Sequence, residues 1–216
     1  MKPITFILAF LIAFQIQCQS APAEPKPHAA IRGNVVRLVP SNFTFSIPDA
    51  WVQWNKSHTK SLHLSRQEID KAEKAEGEWD RPFSEIVNSI FPIERCAAHV
   101  GGDGWGRDSA SFGDVQMRAY VGAWSVAQIE GAVKKSGTAA ASKHSNKVSF
   151  AHSRVGQWQV SKLSYHLWYG DYGGTARIDV YARSFGKQAV ALVFMYTDAS
   201  DKKEIAQIIK SFKAKK

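Results

Sequence analysis

Ala189-Val190-Ala191-Leu192-Val193-Phe194-Met195-Tyr196 is an unbroken apolar run. A run of this length, rich in β-branched and aromatic residues, predicts a strand buried on both faces. Thr197-Asp198-Ala199-Ser200 breaks it and offers Asp198 or Ser200 as a helix N-cap. Ile205, Ile208, Ile209 and Phe212 follow at i, i+3, i+4 and i+7, which places them on one helical stripe. Lys202, Lys203, Gln207 and Lys210 fall opposite. A central strand therefore feeds an amphipathic helix that packs back on its sheet. Burial of each large apolar side chain contributes roughly 1.5–3 kcal/mol before entropy is subtracted.

Upstream of this strand the chain reads as an antiparallel meander. Ala176, Ile178, Val180 and Ala182 alternate with Arg177, Asp179, Tyr181 and Arg183. In Gln157–Tyr169, Trp158 and Val160 share one parity while Leu163, Tyr165, Leu167 and Tyr169 share the other. That switch predicts a β-bulge near Ser161-Lys162. Residues 170–174 form the hairpin loop, and 147–152 read as a weak strand. Val115, Met117, Ala119 and Val121 form one face of a further strand. Ser125 and Gln128 make a capping box for a helix running to Ser136, with Gly137 at C′.

The first half is less regular. Val35–Val39 is a short strand, and Phe43, Phe45 and Ile47 alternate with Thr44 and Ser46. A second capping box opens a charged helix from Ser65 to about Glu76. Asp80 and Pro82 open another, with Phe83, Ile86, Val87, Ile90 and Phe91 on one stripe and Pro92 as its stop. Gly101–Gly106 reads as a loop.

The chain has 216 residues, formal net charge +9 and a pI of about 9.6. A chain of this length can bury about 70% of its unfolded surface and needs no covalent staples. Lys2 and the apolar stretch Ile4–Ile16 predict a signal peptide over residues 1–20, with cleavage after Ser20 or in Ala21-Pro22-Ala23. The stretch is short for a bilayer span. Gln15-Ile16-Gln17 before Cys18 argues against lipidation. Residues 21–33 are expected to be a flexible linker and 34–213 a single globular α+β domain. Loss of Cys18 leaves Cys96 as the one thiol, so no internal disulfide is expected. The protein is expected to be exported, periplasmic or extracellular, with no transmembrane segment in its mature form.

Phe43-Thr44-Phe45-Ser46-Ile47-Pro48-Asp49-Ala50-Trp51 and Ala191-Leu192-Val193-Phe194…Ser200…Ile205…Ile208-Ile209-Lys210-Ser211-Phe212 resemble the opening and closing motifs of PsbP-like domains. The stretch 57–113 carries no such likeness. The resemblance implies an α/β/α sandwich, an antiparallel sheet between helix layers. It also implies an accessory or binding protein without a shared catalytic site, and it assigns no functional residue.

Cys96-Ala97-Ala98-His99 has C-x-x-H spacing. A zinc site needs about four ligands and no second pair follows, so no metal is expected. Cys96 and His99 form the alternative, a thiol-dependent hydrolase in which the imidazole raises the thiolate fraction. A buried inert cysteine is the preferred reading. Gly101–Gly106 lacks the Gly-Lys-Ser/Thr ending of a phosphate loop, and no cofactor is expected.

The candidate ligand-binding residues lie on the polar parities of the strands: Arg118 and Tyr120, His166 and Trp168, and Arg177, Tyr181 and Arg183. Projecting together, they would form a basic, aromatic face suited to an anionic ligand or an acidic protein partner. The excess charge is spread along the chain, and no sequence-specific nucleic-acid binding is expected.

Overall fold

The computed structural model describes residues 28–39, 41–49, 51, 86–87, 89–91, 96–102, 115–144, 148–169, 172–197 and 199–214. Two sheets form, both wholly antiparallel. The large sheet has the order β4 (Cys96–Gly102), β5 (Val115–Gly122), β9 (Gln188–Tyr196), β8 (Tyr172–Phe185), β7 (Trp158–Tyr169), β6 (Val148–Val155). The small sheet has the order β1 (His28–Arg32), β2 (Val35–Val39), β3 (Phe43–Ser46), β10 (Lys213–Ala214).

β9 is buried on both faces, as its apolar run predicts. Val190, Leu192, Phe194 and Tyr196 enter a core shared with Val36, Leu38, Phe43 and Phe45 of the small sheet. Ile205, Ile208 and Ile209 of α2 (Lys202–Ser211) join them there. This is the small-sheet face of the large sheet. Ala189, Ala191, Val193 and Met195 point the other way, toward Ile129 and Val133 of α1 (Val126–His144) and toward Ile86, Val87 and Phe91. This is the helix face.

The expected α/β/α sandwich is therefore overturned. One covering layer is a second sheet, and the molecule is β-rich, with α1, α2 and a short helical stretch at 86–87 and 89–90 among the described residues. Length explains why. The ten residues of α2 span about 15 Å. Six strands at about 4.8 Å spacing are about 24 Å wide. One such helix cannot cover that face, and the hairpins of β1–β3 fill the rest.

Part of the expected linker is structured. Within residues 21–33, His28–Arg32 pairs with Val35–Val39, and Ala29 and Ile31 pack against the small-sheet core. The two-residue turns Gly33-Asn34, Gly156-Gln157 and Gly186-Lys187 share one device. Each has a leading glycine at φ +57 to +60°, where a side chain would be strained. The chain closes on itself at Phe212, whose ring meets Trp158 edge-on at 4.9 Å and lies 5.6 Å from Phe43. The Ser46 N–H donates to Ser211 Oγ at 2.8 Å beside it.

Several local expectations are corrected. The β7–β8 register runs without a shift from Gln159↔Ala182 to Tyr169↔Tyr172, so there is no bulge at Ser161-Lys162. The parity switch instead records a change of covered face: Trp158 and Val160 are buried on the small-sheet face, Leu163 on the helix face. The capping box forms, with the Ser125 N–H donating to Gln128 Oε1 at 2.8 Å and the Gln128 N–H to Ser125 Oγ at 3.1 Å. The helix it opens, however, continues through Gly137 to His144. Gly137 is a crossing point: a Cβ there would lie 2.1 Å from Leu163 Cδ1. At α2, the N-cap is Asp201 rather than Asp198 or Ser200, because the 3₁₀ turn Ala199–Asp201 runs directly into the helix. Gly101 and Gly102 end β4 rather than open a loop. The predicted signal segment, the helix at 65–76 and the start of the helix opened by Asp80 and Pro82 lie outside the described residues. Residues 86–87 and 89–90 of the latter are helical, the Phe91 N–H donates to the Val87 carbonyl at 2.8 Å, and Ile86, Val87 and Phe91 are buried in the helix-face core as their stripe predicts.

Candidate functional site

The alternation of β8 decides which side chains reach which face. Ala176, Ile178, Val180 and Ala182 are buried on the helix face. Arg177, Asp179, Tyr181 and Arg183 consequently occupy the small-sheet face, opposite Tyr196, Phe194, Leu192 and Val190 of β9. On their other side β7 places Ser164 beside Arg177, Lys162 beside Asp179 and Val160 beside Tyr181. β6 adds Ser149 beside Ser164 and Ala151 beside Lys162. Covering is uneven. Tyr181 and Val160 are buried, Lys162, Ser164 and Arg177 are half-buried, and Ser149 and Ala151 are exposed. A polar, accessible strip thus runs over β6, β7 and β8.

Asp179 forms its floor, only 5% exposed. The Tyr196 hydroxyl donates to its Oδ2 at 3.1 Å. Burial pushes the Asp179 carboxyl above the usual carboxylate range, while the Tyr196 hydrogen bond and then Lys162, Lys202 and Arg177 pull it back down. Tyr181 is pushed up to about 12 by burial and then by the Asp179 charge. Tyr196 is raised for the same reasons and by its own hydrogen bond. At neutral pH both phenols stay protonated. Within the strip, Ser149 Oγ and Ser164 Oγ share a hydrogen bond of 2.6 Å.

The candidate residues do not all come together. Arg118 and Tyr120 oppose Val193 and Ala191, so they belong to the helix face, across the sheet from Arg177. Tyr120 is buried there, stacked on Phe91 at 4.4 Å between centroids. Arg177 and Arg183 share a face but sit six positions apart, about 20 Å along the strand. Both have structural contacts. Arg177 Nη1 donates to the Thr197 carbonyl at 2.7 Å and the Thr175 carbonyl at 3.2 Å, and the guanidinium carbon lies 6.0 Å from the Tyr196 ring centroid. The Arg183 guanidinium carbon lies 4.6 Å from the Phe185 ring centroid. His166 and Trp168 pair with Thr175 and Gly173, register positions of the small-sheet face; their side chains lie outside the described residues.

Cys96 and His99 stand on a strand, where a spacing of three normally separates residues onto opposite faces. The register shift between Cys96 and Ala98 undoes that separation. It sets Cys96 opposite Tyr120 and His99 opposite Arg118, while Ala97 and Ala98 both enter the small-sheet core. Among the described residues no group of three or more His, Cys, Asp or Glu could hold a metal ion, and no helix is long and apolar enough to cross a membrane.

The centre of the strip was only partly visible in sequence. Asp179 and Lys162 are evident as polar-parity residues. Tyr196 is hidden as the last member of an apolar run, and Lys202 comes from a helix over twenty positions away, with no local signal linking it to Asp179.

No protein-family model matches the chain, and no curated protein sequence does. It is similar to a crystal structure from Bacteroides thetaiotaomicron VPI-5482, with 14% sequence identity and a TM-score of 0.31. The match covers 59% of this chain and 47% of that one, so the chain spans about half the length of that protein.

Proposed function

We propose that this chain is an exported, non-enzymatic binding or accessory protein, and that it takes an anionic ligand on the strip over β6, β7 and β8. The observation that carries the site is the register that sets Lys162 beside Asp179 and Arg177 on the same face two positions away, next to the exposed positions Ser149 and Ala151. Two cations on the face of one carboxylate leave local positive charge even when Asp179 is ionised. An anion held there is partly desolvated, so its attraction is screened less by salt than at an open surface. Export and the accessory role rest on the N-terminal segment and on the two PsbP-like stretches. Fluorescence anisotropy of a labelled decaglutamate peptide tests the site. Binding should weaken as ionic strength rises and weaken further in Lys162→Ala, with the circular dichroism spectrum unchanged. Absence of binding at low salt, or binding indifferent to Lys162→Ala, would remove the site.

The register shift in β4 favours one second reading, the thiol-dependent hydrolase of Cys96 and His99. Native-state labelling with a thiol reagent decides it. Rapid reaction with a thiolate that persists below neutral pH supports the enzyme. Protection until unfolding leaves an inert cysteine.

A further inference from the structure

β6 ends the large sheet. β7 pairs along its whole length on one side, and among the described residues no strand pairs on the other. The outer row of N–H and C=O groups of such a strand is a template for another chain, and proteins commonly blunt it with lysine, proline, a bulge or a covering element. β6 carries no proline and one charged side chain, Arg154, next to its last residue, and its register is unbroken over all eight residues. None of its residues is fully buried, and Val155 is 44% exposed. The opposite edge is treated differently. β4 carries a register shift, with β1 and β2 lying against it, whereas β6 has an unbroken register, with α1 lying against it and Glu130 Oε1 3.8 Å from His152 Nδ1.

We propose that β6 pairs antiparallel with β6 of a second copy of this chain, about a two-fold axis through Ala151, joining the two large sheets edge to edge. Symmetry narrows the registers. A two-fold axis normal to the sheet keeps equivalent faces on one side, so each residue must oppose one of its own parity, and the axis must fall on a residue. Ala151 and His152 are the two centres that overlap the most of β6. An axis at His152 sets two imidazoles against each other. An axis at Ala151 sets two methyl groups together and brings Phe150 opposite His152, Ser149 opposite Ser153 and Val148 opposite Arg154. No like charges meet. The Phe150–His152 pairing also repeats a contact each chain already makes, since those rings lie edge-to-face with centroids 4.3 Å apart. A second copy thus satisfies the edge groups without charge repulsion.

Sedimentation equilibrium of the purified chain over a range of concentrations tests the pairing. The mass should rise toward that of a dimer. Ala151→Lys places two ammonium groups on the axis and should weaken the dimer by about tenfold or more. It should leave the fold intact, because Ala151 is exposed. Ala151→Cys should cross-link to itself on mild oxidation far faster than Ser149→Cys, whose partner is Ser153. A dimer insensitive to Ala151→Lys, or equal cross-linking of the two cysteine variants, would overturn the register. A monomer at every concentration would overturn the pairing itself, even if the edge then proved to take an extended peptide from another protein.

Discussion

Gly131 and Gly137 both lie inside α1, and the same substitution should act on them in opposite directions. Glycine inside a helix costs roughly 1 kcal/mol relative to alanine, partly through the entropy of the unfolded chain. Gly131 is exposed, and a Cβ there meets nothing within 4 Å. Gly131→Ala should therefore stabilise the protein by about 0.4–1 kcal/mol. At Gly137 the added Cβ would lie 2.1 Å from Leu163 Cδ1, 3.1 Å from Cγ and 3.3 Å from Cδ2. Leu163 is 1% exposed and has little room to retreat. Overpacking of this kind costs about 1–3 kcal/mol. The propensity gain is common to both sites, so it cancels in the comparison. Gly137→Ala should then be less stable than Gly131→Ala by about 1–3 kcal/mol, or about 2–12 °C in Tm for a chain of this length. Thermal and urea unfolding of the two variants measure the gap. A double-mutant cycle with Leu163→Ala should show the two changes to be coupled, since removing the isobutyl group removes the clash. Equal stabilisation at both sites, or strict additivity with Leu163→Ala, would refute the crossing of α1 over β7 at Gly137.

Other perturbations follow the same logic. Ile208 is fully buried in the small-sheet core, so Ile208→Ala should cost about 2–5 kcal/mol, whereas Lys203→Ala on the exposed side of α2 should cost little; urea unfolding separates them. The raised Asp179 carboxyl means that the folded state holds its proton more tightly than the unfolded chain. Its contribution is complete below the ordinary value of 3.8 and is lost as pH rises through the raised one. Asp179→Asn keeps an acceptor for Tyr196 without the buried charge. It should exceed the wild type in stability at neutral pH, by a margin that closes as pH falls toward 3.8; a margin independent of pH would count against the burial. Ser125→Ala removes the hydroxyl acceptor at the start of α1 and should cost about 1 kcal/mol in thermal unfolding.

The strands of the second half were legible because period-two alternation survives wherever one face is buried. Ala176–Ala182 and Val115–Ala119 occupy the faces their parity demands. β9 was legible because burial on both faces forces a continuous apolar run. The capping box at Ser125 was legible because its partners are three residues apart. All these signals are local. What tertiary structure decided is which face of each strand is covered, and by what. Whether a polar parity faces solvent or another layer depends on strand order, so Arg118 and Arg177, alike in sequence context, part to opposite faces. The switch in β7 that reads as a bulge is a straight strand covered first on one side and then on the other. Gly137, a natural stop for a helix in isolation, continues one because its missing Cβ admits Leu163. The second sheet arises because ten residues of helix are too short to cover six strands, a mismatch that appears only once the sheet is assembled.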